Sequence, residues 1–130
     1  MYSEKVLDHF AHPRNSGTLP EADARVIIEN PVCGDVLELA VTIKESRIEH
    51  ARFRAKGCVP LMACSSMLAE MIEGLSLDDA ERIGAGEFAD KVGQLPQASR
   101  HVTKMAVDAV RQLIKQLLAR RTMAAQRSDQ

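Results

Sequence analysis

The apolar pattern of this chain changes period once, and that change limits the folds open to it. From Val36 to Ile43, Leu37, Leu39, Val41 and Ile43 alternate with Glu38 and Thr42. Period two puts the two sets on opposite faces of a half-buried strand. "ARVIIEN" (24–30) is a β-branched strand stopped by Pro31. A tight turn at "KES" (44–46) leads into "RIEHARFRAK" (47–56), with Phe53 and Ala55 facing inward and Arg52, Arg54 and Lys56 facing solvent. The parity of Ile48 disagrees with that of Phe53, so a bulge is expected near His50. Three antiparallel strands result.

After Gly57 the period becomes 3.6. Leu61, Cys64, Leu68, Met71, Ile72 and Leu75 mark one helix face, which Gly74 ends. "SLDDAERI" (76–83) predicts a short helix capped by Ser76, with Asp79 at the third helical position. "GAGEFADKVGQLP" (84–96) reads as an irregular connector with one helical turn. Val102, Met105, Ala106, Ala109, Val110, Leu113 and Leu117 then trace a long amphipathic C-terminal helix, with Lys104, Asp108, Arg111 and Lys115 opposite. At the N-terminus, residues 3–10 predict a helix capped by Ser3, its apolar face formed by Val6, Leu7 and Phe10. "HPRNSGTLP" (12–20) is a loop. The expected class is α+β: a three-stranded antiparallel sheet packed by helices. Residues 1–123 form a single domain, and 124–130 form a polar tail expected to fray.

Composition excludes several functions. With 17 basic and 18 acidic residues the chain lacks the basic excess of a nucleic-acid binder. No apolar run approaches a membrane span, and "MYSEKVLDHF" has no signal-peptide pattern. Three irregularly spaced cysteines argue against a disulfide framework. A soluble cytoplasmic protein with reduced thiols is expected. The stripe Arg52, Arg54 and Lys56 reads as a solvated face able to dock an acidic partner.

Metal-ligating residue types stand at three non-periodic places. Cys33 and Asp35 lie in the turn "NPVCGD" (30–35), Cys58 follows Gly57 where a strand gives way to a helix, and His101 opens the long helix. A small meander gathers turns and helix starts at one end of its sheet, so the four residues can converge. Two thiolates, an imidazole and a carboxylate would suit tetrahedral Zn²⁺ or an iron–sulfur cluster. Helix N-termini beside Cys58 and His101 are expected to favour the thiolate. Cys64 shares a stripe with Leu61, Leu68 and Met71, and is read as a buried small hydrophobe. His9, His12 and His50 are read as structural or solvent-exposed.

"YSEKVLDHFAHPRN", "NPVCGD", "KGCVPLMACSS" and "RHVTKMAVDAV" occur in that order over residues 2–120. Together they resemble the IscU/NifU N-terminal family of iron–sulfur cluster assembly scaffolds. The resemblance implies a three-stranded antiparallel sheet with packed helices. It also implies a non-enzymatic function: receiving sulfur from a cysteine desulfurase, assembling a [2Fe–2S] cluster, and passing it to acceptor proteins. The family's ligands fall on Cys33, Asp35, Cys58 and His101. The family's third cysteine, directly after the histidine, is Val102 here. Val59–Pro60 replaces the small residues that usually follow the second cysteine. The segment recognised by an Hsp70-type chaperone reads Leu95–Pro96–Gln97–Ala98–Ser99, without its lysine, which argues against that interaction.

Two other functions compete with a scaffold for iron or a [2Fe–2S] cluster. One is a Zn²⁺ protein using the same four ligands, either structurally or in accepting sulfur. The other is a degenerate paralogue acting only as an interaction module. A thiol hydrolase built on Cys58 and His101 ranks below all three, because no oxyanion hole is legible. A monomer is the default state, and a cluster bridging two chains is the alternative.

Overall fold

The computed structural model describes residues 2–30, 34–93 and 95–128, with side chains to Arg120, Ala98 excepted. Its elements run α1 (Glu4–Ala11), β1 (Ala24–Asn30), β2 (Asp35–Lys44), β3 (Arg47–Lys56), α2 (Val59–Ile72), α3 (Leu77–Glu81), α4 (Ala85–Val92), a 3₁₀ turn (Gln97–Ser99) and α5 (His101–Ser128). The strands form one antiparallel sheet in the order β1-β2-β3. This is the α+β meander that the periodicity predicts.

The turn between β2 and β3 places Glu45 and Ser46 at positive φ, 54° and 64°. Two positive φ angles are what a two-residue hairpin turn needs to follow the right-handed twist of its strands. The expected bulge is present. Thr42 pairs with His50 and Ile43 with Ile48, leaving Glu49 as the extra residue. That insertion lets Ile48 and Phe53 both reach the core.

One sheet face is covered by α2, which lies on β3, and by α5, which lies on β1 and β2. Leu37, Leu39, Val41 and Phe53 meet Leu61, Leu68, Ile72, Val110 and Leu113 there. With so few aromatic residues available, interlocking aliphatic side chains fill this interior. Both outer strands are partly screened. β3 exchanges backbone hydrogen bonds with Asn15 and Gly17, and with Gly74 and Leu75. On β1, the Gln116 side chain takes both the N–H and the C=O of Arg25.

Two local expectations change. The segment 85–92 is a full two-turn helix, because Phe88 and Val92 bury completely and give it an anchoring face. On α1 the buried residues are Val6 and His9, whereas Leu7 and Phe10 are exposed. A hydrogen bond draws His9 inward: its Nδ1 lies 2.8 Å from Ser66 Oγ. That contact rotates Leu7 and Phe10 away from the body of the protein.

Candidate metal centre

The site is organised by one buried carboxylate. Asp35 opens β2 and is only 3% exposed, an environment that penalises a charge without partners. Among the described residues its carboxylate oxygens have three contacts. Oδ1 accepts the backbone N–H of Cys58 at 3.3 Å. Oδ2 lies 2.8 Å from His101 Nε2 and 3.7 Å from Cys58 Sγ. Residues distant in sequence are thus joined by a single side chain.

Local backbone chemistry makes this possible. Cys58 is the N-cap of α2, with φ −74° and ψ 163°, and Pro60 sits in the first turn, where a missing N–H costs nothing. Cys58 makes no capping hydrogen bond of its own. Gly57, immediately before it, has φ +153°, and a Cβ there would stand 2.1 Å from Asp35 Oδ1. Only glycine lets the carboxylate approach the Cys58 amide. Gly57 thus joins the site, and its signal in the sequence is a glycine set directly between a strand end and a cysteine.

The Cys58 thiol has its pKa raised, against the expectation from the helix terminus. Burial is the largest cause, and the nearby Asp35 carboxylate adds to it. The Leu61 N–H works in the opposite direction. A helix N-terminus favours a thiolate only when neither desolvation nor a neighbouring anion outweighs it. Cys64 is wholly buried, and its thiol is pushed up to about 12, chiefly by burial. It belongs to the core, as its stripe predicts.

Of the four expected ligands, Asp35, Cys58 and His101 come together; Cys33 lies outside the described residues. His101 is the first residue of α5, and its side chain is 28% exposed. Among the described residues, no group of three or more His, Cys, Asp and Glu side chains is arranged to hold a metal ion. Asp35 Oδ2 and His101 Nε2 are engaged with each other. An incoming ion would have to exchange that hydrogen bond for two coordinate bonds. Val102, next in sequence, is completely buried in the core. Among the described residues, no helix is long and apolar enough to cross a membrane.

The profile of the family described as "NifU-like N terminal domain" matches residues 1–124. The chain belongs to this family. Among relatives of the NifU-like N-terminal domain, the iron–sulfur cluster assembly scaffold protein IscU 1 of Archaeoglobus fulgidus is 40% identical over 114 residues, covering 88% of this chain and 74% of that protein. The iron–sulfur cluster assembly scaffold protein IscU of Escherichia coli K12 is 37% identical over 124 residues, covering 92% and 96%. The fold agrees as well. A crystal structure of the N-terminal part of a nitrogen-fixing NifU-like protein from Brucella abortus superposes with a TM-score of 0.73 at 20% identity, covering 90% of this chain and 94% of that one.

Proposed function

We propose that this NifU-like domain is a scaffold or carrier for iron–sulfur cluster assembly. It binds iron or a [2Fe–2S] cluster as cargo and releases it to acceptor proteins. The observation that carries this reading is the convergence of Asp35, Cys58 and His101 at one end of the sheet. Kinship with proteins named as IscU scaffolds supports it. The proposed ligands are Cys33, Asp35, Cys58 and His101. Cys33, two residues before Asp35 in the chain, supplies the second thiolate. The protein holds and releases; it turns over no substrate.

Asp35 has a double role in this reading. Without cargo it is satisfied by His101 and the Cys58 amide; with cargo it offers an oxygen ligand. Carboxylate ligation is more labile than thiolate ligation, which suits a cargo that must leave. A histidine among the ligands raises the cluster's reduction potential relative to all-cysteine binding. The partners are a cysteine desulfurase and iron–sulfur acceptor proteins. The change to Gln97–Ala98–Ser99 weighs against a dedicated Hsp70-type chaperone among them. The working form is a cytoplasmic monomer of one domain, residues 1–123, with a cluster bridging two chains as the alternative.

One observation favours a second reading. A buried valine at 102 cannot accept sulfur, and the same four residues would make a closed tetrahedral zinc site. Anaerobic purification followed by iron, zinc and sulfide analysis, beside a visible spectrum, separates the two. Iron and sulfide in equal amounts, with charge-transfer bands lost in a C33S/C58S variant, is the expected result. About one zinc per chain, lost in the same variant, would replace the scaffold by the zinc protein. No metal after reconstitution would leave only an interaction module.

A further inference from the structure

A second concave site lies on α1, α2 and α4, away from the candidate metal centre. It is a half-open cleft of about 380 Å³, within the size range of small-ligand sites. Its apolar floor is Met67, Met71 and the fully buried Phe88. Its rim carries Lys5, Arg14 and Lys91, together with Asp8 and Glu70. The candidate metal centre and this cleft share no residue.

The charges on that rim are not balanced among themselves. Both carboxylates turn to Arg14: Asp8 Oδ2 is 2.8 Å from Nη2, and Glu70 Oε2 is 4.0 Å from Nε. Lys5, on α1, and Lys91, on α4, make no ion pair among the described residues. Arg14 is thus matched within the rim, and the two lysines carry its free positive charge. Cationic donors above a thioether and aromatic floor match an acidic head group with an apolar tail.

The walls are held before any ligand arrives. Ser3 Oγ donates to Val92 O at 2.7 Å and accepts the Val6 N–H at 3.2 Å, fixing α1 to the end of α4. His9 and Arg14 are tied to α2 through Ser66, each at 2.8 Å. Both lysine-bearing helices are therefore fixed at their bases, which lowers the ordering cost of binding.

We propose that this cleft binds a small organic anion: a carboxylate bearing a short aliphatic or thioether chain. Lys5 and Lys91 hold the acid, and Met67, Met71 and Phe88 bury the chain. The test is an NMR titration of the whole protein with hexanoate, hexanamide and inorganic phosphate. Hexanoate should shift the amides of Lys5, Met67, Met71 and Lys91 saturably, with hexanamide and phosphate each binding about tenfold more weakly or less. A K5Q/K91Q variant, altered only at exposed positions, should keep its melting temperature and lose about tenfold in hexanoate affinity. Absence of saturable shifts at these amides would overturn the proposal. So would equal binding of hexanamide or phosphate, or hexanoate affinity unchanged in the variant.

Discussion

At the scale of single residues, the candidate centre depends on an atom that is absent. Gly57→Ala would drive a methyl group into Asp35 Oδ1 while holding a φ that side chains rarely adopt. The expected cost is about 2 kcal/mol, read from urea unfolding. Shortening the carboxylate removes the collision, so D35A/G57A should be less destabilised than the sum of its single variants. An additive double variant would mean that the two residues do not compete for the same space. Cys64 gives a second check. With its thiol near pH 12 and no exposure, only about one molecule in 10⁴ carries the thiolate at pH 8. Mass spectrometry after alkylation should find Cys64 unmodified in the folded protein and modified in denaturant. Its burial was legible from its helical stripe. The raised pKa of Cys58 was not, because the packing that surrounds a thiol leaves no trace in its neighbours along the chain.

At the scale of elements, α1 illustrates where sequence patterns mislead. Val6, Leu7 and Phe10 look like one face, but the face that docks is set by His9 bonding to Ser66, 57 residues away. A polar pair across two helices leaves no periodic signal. Its consequence is pH-dependent. Burial, with Arg14 nearby, lowers the pKa of His9 below its usual 6.5. Above pH 6.5 both folded and unfolded chains carry neutral His9, and its contribution to stability is complete. As pH falls below that value the unfolded chain takes up the proton first, so stability declines through the folded-state pKa. The melting temperature of wild type should therefore drop more steeply than that of H9Q between neutrality and mild acid. Parallel curves would place the acid sensitivity elsewhere. Ser3→Ala should cost about 1–2 kcal/mol in chemical denaturation, because one hydroxyl serves both the α1 cap and the end of α4. Helix α4 is longer than its sequence pattern predicts. The segment 84–96 reads as an irregular connector with one helical turn, while the burial of Phe88 and Val92 is enough to hold two.

At the scale of the molecule, strand order, bulge and long helix were all readable, since each follows from alternation or helical spacing over many residues. The meeting of Asp35, Cys58 and His101 was readable only as an expectation from the meander's shape, helped by the family motifs. Their hydrogen bonds were not, because tertiary geometry sets them. If cargo is held by Asp35, Cys58 and His101 as proposed, it binds the folded chain alone, and loading with iron or zinc should raise the melting temperature. H101A and C58S should lose most of that rise; a rise kept in both would put the metal elsewhere. The wide sequence spacing of the three residues also bears on how the protein is made. His101 is the first residue of the last helix, and that helix must emerge from the ribosome and dock before imidazole, thiol and carboxylate meet. A chain released only as far as α4 therefore holds the carboxylate and the thiol without the imidazole, and the proposed site closes only when α5 docks.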